Sequence, residues 1–205
     1  KESWRRNSLS GLVKIMSRIG KQPIVVPSGV QVKFDSGVLT AKGPKGELKE
    51  AVHPYVKVAI KDGQIVLTTD ISAARDASAI WGMTRARLNN LVHGVASGYT
   101  KNLEVRGLGF RADVAGQKLT MALGKSRPII FEAPKEITLS VDAKKTLITV
   151  SGVSKDFVGE IAAKIRGFYK PAAYKGKGIR YQGEYVREKP TKQAAGASAG
   201  TGGKK

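Results

Sequence analysis

The chain of 205 residues has no cysteine and only two histidines. The lack of cysteine excludes a disulfide framework and a thiolate metal site. His53 and His93 lie far apart in the sequence, so they do not form a recognisable pair of metal ligands. No apolar run approaches the length of a membrane-spanning helix. We therefore expect a soluble protein with no metal site and no membrane partner.

Acidic residues are scarce, because 16 Asp and Glu stand against 36 Lys and Arg, for a net charge of +20. A charge of this size favours association with polyanions and says nothing about the fold. Nucleic acid, an anionic membrane and acidic proteins are all compatible with it. Residues 16–97 hold eleven basic and six acidic residues, whereas residues 98–181 hold sixteen and seven. The second half is therefore the stronger candidate for the polyanion contact.

Catalytic motifs are also missing, since no nucleophile elbow and no motif of paired carboxylates occurs. Gly107-Leu-Gly109-Phe-Arg-Ala112 fits the dinucleotide fingerprint G-x-G-x-x-G/A, but that fingerprint requires a helix directly after it. The alternation over residues 110–114 predicts a strand instead. Gly176-Lys177-Gly178 lacks the spacing and the Ser or Thr of a P-loop. We predict that the protein is not an enzyme and takes no cofactor and no small-molecule substrate.

Short strands and two helices are predicted along the chain. Alternating apolar residues, separated by turn signals such as Asp62-Gly63, predict antiparallel strands in both halves. Apolar residues at spacings of three and four predict a helix over residues 73–97, with Trp81 in the core. A second helix is predicted over residues 155–168, with Ser154 as its N-cap.

The two halves repeat one pattern at a distance of about 81 residues. Ala77 corresponds to Val158 in this register, and Ile80 corresponds to Ile161. The predicted fold class is therefore α+β, with two tandem repeats that are each an antiparallel β-sheet packed against one α-helix. We predict a basic N-terminal extension at 1–15, repeats at 16–98 and 99–181, and a basic flexible tail at 182–205.

The most distinctive stretch is residues 161–183, which hold six basic residues and no acidic one. Its centre, Tyr174-Lys-Gly-Lys-Gly-Ile-Arg-Tyr181, alternates cations with glycines between two tyrosines. Cations neutralise phosphate, tyrosine stacks on bases, and glycine permits close approach of the backbone. A solvated basic loop is the alternative interpretation, but it would not require the glycines and tyrosines. We predict that residues 174–181 bind a polyanion and lie clear of the hydrophobic core.

Four motifs in fixed order resemble one known family. They are Ser17-Arg-Ile-Gly-Lys-Gln-Pro-Ile24, Lys42-Gly-Pro-Lys-Gly-Glu-Leu48, Gly107-Leu-Gly-Phe-Arg-Ala112 and Ala173-Tyr-Lys-Gly-Lys-Gly-Ile-Arg-Tyr181. From about Met16 to Glu188 the chain resembles the bacterial type of large-subunit ribosomal protein six, the L-six family, whose members are two such repeats in tandem. It departs from many members at Pro171-Ala-Ala173, where they carry Pro-Glu-Pro.

The resemblance implies a structural constituent of the large ribosomal subunit that supports translation. It implies that residues 99–181 are the main rRNA-binding repeat and brace rRNA near the factor-binding region, at the sarcin–ricin loop and stalk base. The implied partners are large-subunit rRNA, neighbouring large-subunit ribosomal proteins and, nearby, translation factors. The alternative function is a free-standing RNA-binding module or RNA chaperone. We assign RNA binding to Lys164, Arg166, Lys170, Tyr174, Lys175, Gly176, Lys177, Gly178, Arg180 and Tyr181, together with Arg18 and Lys21 of the first motif.

The ends of the chain and its compartment remain open at this point. Residues 1–15, which have no counterpart in the family's usual pattern, are compatible with a remnant of an organellar targeting peptide, a basic arm on rRNA, or upstream sequence translated from an early start. The ribosome of the bacterial cytoplasm is the first expectation, and those of the mitochondrial matrix and plastid stroma are the alternatives. Residues 191–205 contain no apolar residue larger than alanine, so we expect them to be disordered without a partner.

Overall fold

The computed structural model describes residues 17–61, 63–70 and 76–189. The chain divides between Gly98 and Tyr99 into two compact units, called the first and the second unit below. The predictions for residues 1–15, for residues 191–205 and for the beginning of the first helix before residue 76 lie outside the described residues.

The first unit has two antiparallel sheets and one helix within its described residues. One sheet has the strand order β1-β6-β5 and the other has the order β2-β3-β4. The helix packs on strands of both sheets. The bounds are β1 (Ile24–Val25), β2 (Gln31–Asp35), β3 (Val38–Gly43), β4 (Gly46–Ala51), β5 (Val56–Lys61), β6 (Gln64–Thr69) and α1 (Ala77–Ser97).

Helix α1 turns its apolar side toward these sheets. Trp81 is buried there, and its indole N–H donates a hydrogen bond to the Leu67 carbonyl oxygen of β6 at 3.1 Å. The predicted place of Trp81 in the core is therefore confirmed. Gly98 follows the helix with a φ of 78°, and its N–H donates to the Gly94 carbonyl oxygen at 2.9 Å. A positive φ favours glycine over residues with a side chain, so Gly98 ends the helix here.

Residues 99–189 of the second unit also form two antiparallel sheets and one helix. The strand orders are β10-β9-β8 and β11-β12-β7-β13. Its helix packs on β7, β12 and β13 of the four-stranded sheet. The bounds are β7 (Tyr99–Arg106), β8 (Arg111–Ala115), β9 (Lys118–Ala122), β10 (Ile129–Glu132), β11 (Ile137–Val141), β12 (Leu147–Gly152), α2 (Lys155–Phe168) and β13 (Gly178–Tyr181).

The two units share one topology, which confirms the predicted α+β class and the tandem repeat. The order β5-β6-β1 corresponds to β11-β12-β7, and β2-β3-β4 corresponds to β8-β9-β10. Each unit has two sheets where the sequence predicted one, because alternation identifies strands but not the edges that pair. Strand β13 has no counterpart among the described residues of the first unit.

Helix α2 has the bounds that its sequence pattern predicts. Ser154 stands at the N-cap position, and its carbonyl oxygen accepts the Val158 N–H at 3.1 Å, but its hydroxyl makes no capping hydrogen bond. Val158, Ile161 and Ile165 are buried in the core of the second unit. The helix therefore fixes where the chain leaves the core, at Phe168 and Tyr169, and so where the loop of residues 170–177 begins. Neither helix of the described residues is apolar enough over its length for a bilayer crossing.

Candidate nucleic-acid interface

The second half of residues 174–181 forms strand β13 of the four-stranded sheet. In β13, Gly178 pairs with Arg106 of β7, and Ile179 pairs with Val105. The Ile179 side chain is 0% exposed and belongs to the core of the second unit. The prediction that residues 174–181 all lie clear of the core is therefore wrong for their second half. The physical reason is that the edge of β7 offers backbone hydrogen bonds, and the period of a strand turns Ile179 inward.

The two glycines of this segment permit close approach within the protein itself. Gly178 has a φ of +148°, and a Cβ atom there would lie 2.7 Å from the Pro171 Cα and 2.9 Å from the carbonyl carbon of Lys170. Gly176 has a φ of +61°, and a Cβ atom there would collide with the Glu188 carboxylate. Their contribution to a binding surface is thus to shape the loop between α2 and β13.

That loop, residues 170–177, is closed by backbone hydrogen bonds. The Ile179 N–H donates to the Tyr169 carbonyl oxygen at 2.9 Å, the Ala172 N–H donates to that of Lys177 at 2.9 Å, and the Gly176 N–H donates to that of Ala172 at 3.0 Å. A loop closed in this way has its backbone fixed before any partner arrives. The exposed residues of the loop are Lys170, Ala172, Tyr174, Lys175 and Lys177.

Arg166 is paired with an acid that lies just after the acid-free stretch. Its Nε and Nη2 atoms donate to the two carboxylate oxygens of Glu184 at 3.1 Å and 2.5 Å. The hydrogen bond from Arg166, together with one from the Tyr181 backbone N–H at 2.9 Å, holds the pKa of Glu184 below its ordinary value. The same hydrogen bond raises the pKa of Arg166. This bidentate pair ties α2 to the residues after β13.

Arg180 is paired with an acid that lies before the stretch. Its side chain is 14% exposed, and its Nε lies 3.3 Å from the carboxylate of Glu104 on β7. Arg106 donates to the same carboxylate oxygen at 3.2 Å. Lys164 lies 2.6 Å from Glu160 on α2, but both side chains are about half exposed, so this pair contributes little to stability.

The remaining predicted residues divide between the two units. Tyr181 is partly buried, with the Arg166 guanidinium 5.6 Å and the Lys101 Nζ 5.9 Å from the centre of its ring. It therefore packs with cations of its own unit. Arg18 and Lys21 are exposed in the turn before β1 of the first unit.

Phe110 brings two further loops to the end of the second unit where the 170–177 loop lies. Its ring meets that of Tyr169 edge to face, with 5.2 Å between centroids. A Cβ atom on Gly107 would lie 2.5 Å from the Phe110 ring, and one on Gly124 would lie 3.1 Å from it. We call residues 106–111, 123–128 and 170–177 together the three-loop end.

The three-loop end carries more basic residues than the sequence pattern indicated. Arg106 and Arg180 share the one carboxylate of Glu104, so a positive charge remains there. The exposed basic residues of the three loops are Arg106, Arg111, Lys125, Arg127, Lys170, Lys175 and Lys177. Sequence reasoning missed the first four because they come from separate turns. Each of them lies within three residues of a glycine in the sequence, but only the contacts of Phe110 show that the turns meet.

Two α+β units in tandem, with cations gathered at one end of the second, define a basic protein suited to a polyanionic partner. The family model of ribosomal protein L6 matches residues 26–98 and 106–182, and the chain belongs to this family. A large ribosomal subunit protein uL6 from Trichlorobacter lovleyi is 50% identical over 177 residues, which cover 86% of this chain and 98% of the relative. Proteins of that name from Methylacidiphilum infernorum and a Hydrogenobaculum species are 45% and 47% identical, over 87% of this chain and 99% and 97% of their own lengths. The resemblance carried by the four motifs is confirmed.

Proposed function

We propose that the protein binds and braces large-subunit rRNA near the factor-binding region, at the sarcin–ricin loop and stalk base, and that it supports translation there. Its family makes it a structural protein of the large ribosomal subunit, associated with the rRNA and proteins of that subunit. The bacterial source of its relatives supports the ribosome of the bacterial cytoplasm as its location. The family also suggests a structural role and not catalysis.

The observation that carries the proposal is the exposed charge of the three-loop end. Lys and Arg side chains that neutralise phosphates release counterions, and this release supplies most of the sequence-independent affinity for nucleic acid. The backbone hydrogen bonds that close residues 170–177 fix the backbone that carries Lys170, Lys175 and Lys177 before binding, so less backbone entropy is lost in the complex. Tyr174 is 59% exposed in the same loop and offers a ring face to an unpaired base or a sugar.

The predicted residues take two roles in this proposal. Those that contact RNA directly are Lys164, Lys170, Tyr174, Lys175 and Lys177, with Arg18 and Lys21 contributing from the first unit. Those that hold the loop and the strand in the binding shape are Arg166, Gly176, Gly178, Arg180 and Tyr181. The second set is argued from the ion pairs with Glu184 and Glu104, and from the close approach of Gly178 to Pro171. Translation factors are proposed as neighbours of the braced RNA and not as direct partners.

Co-sedimentation with bacterial large subunits separates this proposal from a free-standing RNA-binding module. The full chain is incubated with subunits stripped of their own copy of this protein, and the mixture is centrifuged in moderate salt. We expect one bound copy per subunit that resists competition by unrelated structured RNA. A protein that stays in the supernatant, or that is removed equally well by any RNA, would instead be a general RNA-binding module or chaperone.

A further inference from the structure

We propose that Leu108 is an apolar wedge that enters the bound rRNA from the 106–111 loop of the three-loop end, an inference that rests on the proposed function. Leu108 is 92% exposed, more than any other large apolar side chain of the described residues. Single exposed leucines are common on protein surfaces, so exposure alone does not make a site. The turn that presents Leu108 and the charges around it carry the argument.

The turn places Leu108 at its outer tip. The Phe110 N–H donates to the Gly107 carbonyl oxygen at 3.3 Å, which closes a four-residue turn with Leu108 in its second position. Gly109, in the third position, has a φ of +75°, as a type II turn requires. Leu108 therefore stands at the tip of the turn, where its side chain is exposed.

The base of the turn is anchored, so Leu108 cannot fold back onto the core. Phe110 is buried and meets Tyr169 edge to face. The ring of Phe110 also fills the space beside Gly107 and Gly124. The leucine is therefore held in water on a rigid support, and a partner that covers it gains apolar burial at little cost in ordering.

The charges around Leu108 favour RNA over protein as this partner. Arg106 and Arg111 stand on either side of the turn, and Gly124, which touches Phe110, leads into a loop with Lys125 and Arg127. An apolar tip flanked by cations matches base faces flanked by phosphates. Proteins use leucine and similar side chains in this way, as wedges against unstacked bases, while basic residues contact the flanking phosphates of the nucleic acid.

Substitution of the wedge tests the inference without disturbing the fold. The variant is Leu108→Ala, and the matched control is Phe157→Ala. Phe157 is an exposed apolar residue in the first turn of α2, whereas the 170–177 loop follows the last turn of that helix. Each full-length protein is titrated with a protein-free transcript of bacterial large-subunit rRNA across a salt series. We expect Leu108→Ala to weaken binding about tenfold, which corresponds to about 1.4 kcal/mol. The slope of log affinity against log salt should stay unchanged, because no phosphate contact is lost.

A unique thiol gives a second readout, since the chain has no cysteine. Leu108→Cys and, as control, Phe157→Cys are labelled with a photo-activated cross-linker and irradiated in assembled large subunits. We expect cross-links to rRNA from position 108 and none from position 157.

Three outcomes separate the inference from the proposed function. If the unsubstituted protein does not bind the transcript, the proposed function fails and the inference fails with it. If the unsubstituted protein binds and Leu108→Ala binds equally well, the inference alone is overturned. Cross-links from position 108 to protein only would also overturn it, because Leu108 would then be a contact between ribosomal proteins.

Discussion

Replacing Ile179 with alanine tests whether the second half of residues 174–181 is part of the core of the second unit. The side chain is 0% exposed and sits on β13 between the edge of β7 and helix α2. Removing three buried carbon atoms costs about 2.4 kcal/mol at about 0.8 kcal/mol each. The cavity that remains adds to this cost, within an observed range of about 2–5 kcal/mol. We expect Ile179→Ala to lower the free energy of unfolding by about 3 kcal/mol.

Urea unfolding followed by far-ultraviolet circular dichroism measures this loss. Circular dichroism is needed because both tryptophans of the sequence, Trp4 and Trp81, precede the second unit. The matched control is Tyr174→Ala, an exposed residue of the same motif, which should change stability by less than about 0.5 kcal/mol. Equal and small effects of the two substitutions would refute the reasoning, because β13 would then not belong to the core.

Two further predictions concern the residues that hold the loop. Glu184→Gln should cost about 1–2 kcal/mol at pH 7. Because Arg166 holds the pKa of Glu184 below its ordinary 4.5, the ionised carboxylate stabilises the fold above that pH. The stability difference between the variant and the unsubstituted protein should therefore shrink as pH falls through the lowered pKa. Urea midpoints at pH 7 and pH 3 measure this difference, and an undiminished difference at pH 3 would contradict the prediction. Gly178→Ala should cost about 1–3 kcal/mol through its strained φ and its clash with Pro171. The control is Gly183→Ala, because Gly183 also has a positive φ but a Cβ atom there would meet no atom within 4 Å. The control should cost less stability in urea unfolding, and equal costs would show that the close approach of Gly178 to Pro171 is unimportant.

The sequence predicted the parts of the fold that local patterns determine. Helix α2 has its predicted bounds because its apolar stripe and the following Pro171 both act within a few residues. The 81-residue repeat likewise predicted two units of one topology. The strand pairing within each unit lies beyond such patterns, since it depends on which sheet edges are free.

The candidate site shows the same division. The cations of residues 170–177 were predicted because they are neighbours in the sequence. The carboxylates of Glu104 and Glu184, which neutralise Arg180 and Arg166, come from outside the acid-free stretch and meet it only through the sheet and the following turn. Gly176 and Gly178 were predicted to permit close approach to a partner. The atoms that approach them belong to this chain instead, and composition does not distinguish the two cases.

The salt dependence of rRNA binding tests the central claim most directly. The variant Lys175→Ala/Lys177→Ala removes two exposed cations of the 170–177 loop, and Lys57→Ala/Lys61→Ala removes two from β5 of the first unit as a control of equal charge. Affinity for the large-subunit rRNA transcript is measured across a salt series, with urea unfolding in parallel. We predict that the loop variant lowers the slope of log affinity against log salt by about 1.5, with stability unchanged, and that the control leaves the slope as it is. A loop variant that loses stability while its slope is unchanged, or a control that lowers the slope as much, would contradict the account.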